Sequence, residues 1–142
     1  MLWRLIEDAP GSGAENMAID ERLLRDAVSG EAVPTLRFYT WDPPAVSLGR
    51  FQDEGAAVDA RACKRLGIDV VRRITGGRAV FHHHELTYSV VSLAGNPIFP
   101  KDLLGTYKVI AEGLLAGLGH LGIRAEMVSR SCGNAVRIRK RT

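Results

Sequence analysis

Residues 72–82 read Arg72-Arg73-Ile74-Thr75-Gly76-Gly77-Arg78-Ala79-Val80-Phe81-His82. The pattern is typical of an apolar strand, a two-glycine turn and a second strand that runs into a histidine. Paired glycines let a ligand approach the backbone closely, because no side chain stands in the way. Arginines on both sides of the turn can bind a carboxylate or phosphate through charge-assisted hydrogen bonds. We therefore expect the substrate at this turn, although the same pattern also fits a plain hairpin.

The bulk composition is that of one globular domain. The chain has 142 residues, of which 46% are hydrophobic and 25% charged, and this length can bury a sizeable core. No apolar run approaches the roughly 20 residues that span a bilayer, so we expect no membrane association. Two cysteines, Cys63 and Cys132, are too few for a disulfide framework, which favours a cytoplasmic, reducing setting.

The positive charge is concentrated near the end of the chain. The net charge is +3, and four of the positive side chains are Arg137, Arg139, Lys140 and Arg141. The rest of the chain is therefore close to neutral. The sequence has no basic face with interleaved aromatic residues, so we do not expect nucleic-acid binding. We expect a catalytic-domain segment over residues 1–128 and a basic, disordered or aberrant tail over residues 129–142.

Hydrophobic periodicity predicts a mixture of strands and helices. We predict helices over residues 14–29, 59–66 and 103–118, and strands over residues 2–6, 36–39, 45–48, 68–73, 78–81, 86–93 and 123–128. The strands on either side of the two-glycine turn are predicted to pair as a hairpin. The fold class expected is α/β (α+β), with a mixed sheet flanked by two or three helices.

Three further groups of residues invite a chemical interpretation. The run His82-His83-His84-Glu85 cannot direct three histidines at one metal ion, because adjacent side chains of a strand point to opposite faces. We therefore expect no metal site and place His82 at the mouth of the pocket. Asn16 either caps the first long helix or reaches the pocket. Cys132 lies in an electropositive segment and is the candidate nucleophile.

Several motifs together resemble the lipoate–protein ligase and octanoyltransferase superfamily, also called the biotin/lipoate A/B protein ligase family. The first is Arg73-x-Thr75-Gly76-Gly77-Arg78-Ala79-Val80-x-His82, followed by Glu85-Leu86-Thr87-Tyr88-Ser89-Val90. The second is Asn16-Met17-Ala18-Ile19-Asp20-Glu21, which is similar to the family's first helix motif. A third, residues 37–52, is similar to its first hairpin. The form of these motifs looks most like the ligase-like octanoyl-acyl-carrier-protein:protein octanoyltransferases.

The resemblance implies a biotin/lipoate ligase-like fold that holds an acyl chain in an apolar channel. It also implies transfer of an octanoyl or lipoyl group to a lysine of lipoyl domains. These domains belong to 2-oxoacid dehydrogenases or to the glycine cleavage H protein. A transferase would take octanoyl from acyl carrier protein through a cysteine thioester and need no cofactor, whereas a ligase would need ATP and Mg²⁺. We expect the acyl or adenylate group to contact Arg72, Arg73, Thr75, Gly76, Gly77, Arg78, Ala79, His82 and Asn16.

The resemblance extends from about residue 3 to about residue 127 and implies only the N-terminal part of such a catalytic domain. The family's later nucleophile and lysine segments have no match here, so the chain is expected to be truncated or completed by a second polypeptide. An octanoyltransferase is the leading hypothesis. An ATP-dependent lipoate–protein ligase and a fragment that binds an acyl group or partner without catalysis are the alternatives.

Overall fold

The computed structural model describes residues 2–130 and 133–138. It contains eight strands and four helices within these ranges. In chain order they are β1 (Arg4–Glu7), α1 (Gly13–Val28), β2 (Thr35–Tyr39), β3 (Ala45–Leu48), α2 (Glu54–Ala57), α3 (Ala60–Arg65), β4 (Asp69–Arg72), β5 (Val80–His82), β6 (Thr87–Val91), α4 (Leu103–His120), β7 (Ala125–Arg130) and β8 (Gly133–Ile138). The chain divides into two compact units, Met1–Leu93 and Ala94–Thr142. The mixed α/β class predicted from the sequence is confirmed.

The first unit contains two three-stranded mixed sheets. One has the order β1-β2-β6, in which β2 runs parallel to β1 and antiparallel to β6. The other has the order β4-β3-β5, in which β3 runs parallel to β4 and antiparallel to β5. All four residues of the central strand β3 are buried. The antiparallel register opposes Ser47 to Val80 and Ala45 to His82, so these four side chains share one face.

Two expected hairpins are wrong. Strands β4 and β5 do not pair with each other, because they take the two edges of β3. In this arrangement the backbone hydrogen-bonding groups on both edges of the buried strand β3 are paired. A β4–β5 hairpin would have left one edge of β3 unpaired. Strands β2 and β3 also belong to different sheets. The turn between them contains Pro43 and Pro44, which cannot donate backbone hydrogen bonds.

Helix α1 begins with a capping box. The Ser12 side chain accepts a hydrogen bond from the Glu15 N–H, and the Glu15 carboxylate accepts one from the Ser12 N–H, which satisfies two of the free donors at the helix start. Farther along, Leu23 and Ala27 pack with Val91 of β6 in one hydrophobic cluster. The helix therefore covers the first sheet and presents its earlier turns to the site.

A second cluster joins the two-proline turn to the sheets. Tyr39, Trp41 and Ala45 are buried together, with Met17 of α1 and Val71 of β4 packed against them. The rings of Tyr39 and Trp41 lie 5.6 Å apart at an angle of 54°, a favourable aromatic geometry. Met17, Tyr39 and Trp41 of this cluster form part of the wall of the cavity described below.

The second unit consists of α4 and the β7–β8 hairpin. Asp102 caps α4 by accepting a hydrogen bond from the Gly105 N–H, and α4 contacts β7. Strand β8 lies in the segment for which the sequence analysis expects a disordered or aberrant tail. Cys132, the candidate nucleophile, lies outside the described residues. No helix in the described part of the chain is long and apolar enough to cross a membrane.

Candidate functional site

A cavity of about 260 Å³ opens in the first unit between helix α1, the two sheets and the residues that follow β4. Its walls combine apolar side chains with a polar end. The lining residues are Met17, Asp20, Tyr39, Trp41, Ser47, Arg73, Ile74, Thr75, His82, Thr87, Tyr88, Ser89, Val90 and Val91. An apolar enclosure with a few convergent polar groups is the usual form of a small-molecule site.

Arg72 braces a neighbouring loop. Its Nη1 donates hydrogen bonds to the carbonyl oxygens of Gly49 at 2.9 Å and of Gln52 at 2.7 Å. The sequence predicts that this arginine binds an anionic ligand, and in the structure the carbonyl oxygens of Gly49 and Gln52 accept hydrogen bonds from its guanidinium group. Its side chain therefore fixes the loop over residues 49–52 beside the two-glycine turn.

Arg73 both braces the turn and reaches the cavity. Its Nη2 donates to the carbonyl oxygens of Gly76 at 2.8 Å and Arg78 at 2.7 Å, and its Nη1 donates to the carbonyl oxygen of Ser47 at 2.8 Å. Nη1 also lies 3.1 Å from the Ser47 hydroxyl oxygen. Burial lowers the pKa of the Arg73 guanidinium from its ordinary value, because desolvation disfavours the charged form.

The two glycines of the turn have different surroundings. Gly77 has a φ of 97°, in the region that favours glycine. A Cβ on Gly49 would lie 1.9 Å from the Gly77 carbonyl oxygen, whereas a Cβ on Gly76 would meet no atom within 4 Å. The turn is thus packed against the loop at Gly49 and Gly77, and open at Gly76, as close approach of a ligand requires.

His82 is buried at the polar end of the cavity. Its Nε2 lies 2.7 Å from the Ser47 hydroxyl oxygen, and its Nδ1 is hydrogen-bonded to Glu85. The Trp41 indole stacks on the imidazole with ring centroids 4.1 Å apart and an angle of 13°. The imidazole is therefore held by hydrogen bonds at both nitrogens and by an aromatic ring on one face.

The carboxylate of Glu85 has a second donor. The Thr87 hydroxyl donates to Glu85 Oε1 at 2.9 Å, and the Trp41 Nε1–H donates to the Thr87 oxygen at 2.7 Å. Thr87 thus holds the Glu85 carboxylate in place, and Glu85 in turn bonds His82 Nδ1.

A buried polar network adjoins the cavity through Asp20 and Tyr39, which are both lining residues. The Arg37 side chain is fully buried and donates to Asp8 at 2.6 Å, to Asp20 at 2.9 Å and to Asn16 Oδ1 at 2.9 Å. The Asn16 Nδ2 donates to the carbonyl oxygens of Gly11 and Thr40. Asn16 is therefore bound inside the fold and does not line the cavity.

Tyr39 joins this network to the cavity wall. Its hydroxyl donates to Asp20 Oδ2 at 2.9 Å. Burial, together with the adjacent Asp20 carboxylate and this hydrogen bond, raises the pKa of the Tyr39 phenol above its ordinary 10. The Arg37 guanidinium, 3.9 Å above the ring centroid, opposes that shift.

We expect the free energy of unfolding to fall more steeply with rising pH in the wild-type chain than in Tyr39→Phe above pH 10. The unfolded chain loses the tyrosine proton near pH 10 while the folded chain retains it, so the stabilisation is complete below pH 10 and is lost as the pH rises further. Urea unfolding between pH 9 and pH 11.5 measures the two slopes. At pH 8 the variant should lose about 1.5–3 kcal/mol, since Asp20 loses a donor. Equal slopes of unfolding free energy against pH in the two proteins would contradict a raised pKa of Tyr39 in the folded chain.

The structure brings some of the expected site residues together and separates others. Arg73, Thr75 and His82 line the cavity. Arg72, Gly76, Gly77, Arg78, Ala79 and Asn16 are not among the lining residues. Ser47 is not among the residues predicted for the site, and the sequence does not indicate that Glu85 bonds His82. A signal for Ser47 was present, since a lone hydroxyl in the apolar run of residues 45–48 needs a polar partner.

Among the described residues, no group of three or more His, Cys, Asp or Glu side chains is arranged to hold a metal ion. The cationic and hydroxyl groups at the polar end are instead suited to a carbonyl or carboxylate oxygen.

Comparisons with known proteins agree on one family. Residues 12–141 match the model of the lipoyl protein ligase A/B catalytic domain. The octanoyltransferase LipM of Carboxydothermus hydrogenoformans is 51% identical to this chain over 125 residues. That match covers 88% of this chain and 46% of the relative. The chain thus spans about half the length of the curated relatives it matches.

Solved structures give the same result for the fold. A lipoate-protein ligase A bound with ATP superposes with a TM-score of 0.78 at 31% identity, over 92% of this chain and 51% of that protein. A bipartite lipoate protein ligase from Thermoplasma acidophilum, studied with its E2 lipoyl domain, gives a TM-score of 0.70 at 30% identity, over 89% of this chain and 48% of that protein.

Proposed function

This chain belongs to the lipoyl protein ligase A/B catalytic domain family, and we propose on that premise that it serves in the attachment of an octanoyl group to a lysine of a lipoyl domain. The observation that carries the proposal is the 51% identity with an octanoyltransferase LipM. The donor proposed is octanoyl-acyl carrier protein, and the transfer needs no cofactor. The acceptors proposed are the lipoyl domains of 2-oxoacid dehydrogenases or the glycine cleavage H protein, in the cytoplasm.

The cavity supports an acyl ligand of modest size. Its volume of about 260 Å³ lies just below the roughly 300–1,000 Å³ typical of sites for larger ligands. Met17, Trp41 and Val91 supply apolar wall, and burying the octanoyl chain there would contribute about 0.8 kcal/mol for each methylene group. The reactive carbonyl would then lie at the polar end, near Arg73 and His82.

The polar end supports chemistry at an acyl carbon. Attack on a thioester places negative charge on the carbonyl oxygen, and preorganised donors in a dry site stabilise that charge. Arg73 places a positive charge there, with its Nη atoms bonded to the carbonyl oxygens of Ser47, Gly76 and Arg78. The open backbone at Gly76 leaves room for a ligand beside the turn. Cys132 remains the proposed thiol that carries the acyl group, and residues 1–128 the proposed part of the catalytic domain.

An ATP-dependent lipoate–protein ligase is the second candidate. The observation that favours it is the 0.78 TM-score with a lipoate-protein ligase A bound with ATP. This chemistry would require ATP and Mg²⁺, and the acyl-adenylate would occupy the same polar end beside the two-glycine turn.

We expect an octanoyl mass increase on an apo lipoyl domain that is incubated with this chain and octanoyl-acyl carrier protein without ATP. Intact-mass spectrometry measures the product, and a second tube contains octanoate, ATP and Mg²⁺ instead. Cys132→Ala should abolish the increase, because the acyl thioester cannot form. Cys63→Ala is the matched control and should react like the wild type, since Cys63 is a free thiol on α3, outside the cavity.

The remaining outcomes separate the alternatives. An increase in the second tube alone would replace the transferase by the ligase. No increase in either tube, with the chain folded, would overturn both and leave a fragment that binds an acyl group or partner without catalysis.

A further inference from the structure

The hydrogen bonds around His82 form a continuous series from Trp41 to Arg73, and the donor and acceptor of each bond can be assigned. Trp41 Nε1 and the Arg73 guanidinium, at its two ends, are groups that only donate. From the Trp41 end, Thr87 accepts from the indole and can donate only onward, to Glu85. The hydrogen bonds that start at Trp41 therefore end at the Glu85 carboxylate, which accepts.

The directions of the hydrogen bonds between Arg73, Ser47 and His82 are fixed in the same way. Arg73 Nη1 donates to the Ser47 oxygen, so the Ser47 hydroxyl hydrogen is directed at the remaining partner, His82 Nε2. His82 Nδ1 then carries the hydrogen that Glu85 accepts. With the hydrogens placed in this way, the Nε2 lone pair of the imidazole faces the serine hydroxyl.

This arrangement has the roles of a nucleophile, a base and an orienting carboxylate. A hydroxyl within hydrogen-bond reach of an imidazole, which a third group orients, is the geometric signature of an activated nucleophile. The Ser47–His82 separation of 2.7 Å falls in the range required. Both residues line the cavity, and the stacked Trp41 ring restrains the imidazole from rotating away.

We propose that Ser47 is a nucleophile that accepts acyl groups from activated esters and thioesters and releases them to water. This activity goes beyond the lipoyl-domain transfer proposed above. It depends on neither Cys132 nor any acyl carrier or lipoyl domain.

The bonds in this reaction balance without a further reagent. Ser47 Oγ forms a bond to the acyl carbon, the carbon–sulfur or carbon–oxygen bond of the leaving group breaks, and the Ser47 proton passes to His82 Nε2 and then to the leaving group. Arg73 Nη1 donates to Oγ at 3.1 Å, so its positive charge lies next to the Ser47 oxygen as the proton leaves it. Water then attacks the acyl-serine, His82 takes its proton and returns one to Ser47, and a carboxylic acid leaves.

The test is covalent labelling of the 142-residue chain with a fluorophosphonate, followed by peptide mass mapping. We expect one adduct, on Ser47, and a loss of signal in Ser47→Ala. His82→Gln should slow labelling by about 10²–10⁴-fold, and Glu85→Gln by about 10²-fold or more, because the tautomer is no longer enforced. Ser29→Ala is the matched control and should label like the wild type, since the Ser29 hydroxyl donates to the Asp26 carbonyl oxygen and Ser29 is not a lining residue of the cavity.

Turnover gives a second measurement. In a Cys132→Ala background, where no acyl thioester can form at that thiol, the chain should release p-nitrophenol from p-nitrophenyl octanoate with an initial burst, and adding Ser47→Ala should abolish the burst. An unlabelled wild-type chain with a native circular dichroism spectrum would overturn the proposal. So would an adduct on another residue, or a labelling rate that His82→Gln leaves unchanged. None of these outcomes bears on octanoyl transfer, which the lipoyl-domain assay measures separately.

Discussion

Replacing Arg37 with methionine is expected to lower the free energy of unfolding by about 3–5 kcal/mol. The Arg37 side chain is fully buried and pairs with Asp8 and Asp20. Methionine has a similar length and fills the space, but it leaves the Asp20 carboxylate, only 12% exposed, without its cation. An uncompensated buried charge costs far more than a balanced pair contributes. Urea unfolding followed by circular dichroism measures the loss.

The matched control is Arg25→Met on the outer face of α1. Arg25 pairs with Glu21 at 2.6 Å, but its side chain is 75% exposed, so we expect a change of less than about 0.5 kcal/mol. The double variant Asp20→Asn, Arg37→Met should recover part of the loss, because the amide carries no charge. A loss below about 1 kcal/mol in Arg37→Met alone would show that the pair is not desolvated.

Replacing Gly49 with alanine is the second substitution with a large expected effect. The added methyl group would lie 1.9 Å from the Gly77 carbonyl oxygen and 2.9 Å from its carbon, so one of the two backbone segments must move. We expect a loss of about 1–3 kcal/mol or more in the free energy of unfolding. Displacing the turn also moves Arg73, which Gly76 and Arg78 hold, so octanoyl transfer should fall at least tenfold.

Gly76→Ala is the matched control for stability, because its methyl group would enter open space. Its free energy of unfolding should stay within about 0.5 kcal/mol of the wild type. If the acyl group packs against the turn, this variant will fold normally and still bind octanoate more weakly. A stable Gly49→Ala chain with full activity would show that the loop and turn are not in the contact described.

Local sequence patterns predicted where most helices and strands lie, but they did not predict which strands pair with each other. The caps at Ser12, Asp53 and Asp59 follow from short-range hydrogen bonding, although α2 was not anticipated. The hairpin expected around the two-glycine turn was wrong, because a strand's partners depend on which strand lies at the centre of the sheet. The turn residues alone carry no information about β3.

The candidate site shows the same division. The glycine turn, Arg73 and His82 were expected at the substrate because their residue types suit an anion or an acyl carbonyl. The structure shows partners of Arg72 and Asn16 that the sequence did not indicate, namely backbone carbonyls and, for Asn16, the Arg37 side chain. Contact of either residue with an acyl group stays a prediction. A charged or amide side chain forms its hydrogen bonds with whatever the fold brings near it, and its type does not reveal that partner.

The sequence by itself determined the family, the mixed α/β class and the position of the two-glycine turn, because motifs and periodicity are properties of neighbouring residues. Only the tertiary structure decided that β3 lies between β4 and β5, and so that Ser47 meets His82 across 35 residues. It also decided that Glu85 orients this imidazole and that Arg73 reaches the serine oxygen. These contacts depend on register and strand order, which follow from burial of the whole sheet and not from any local segment.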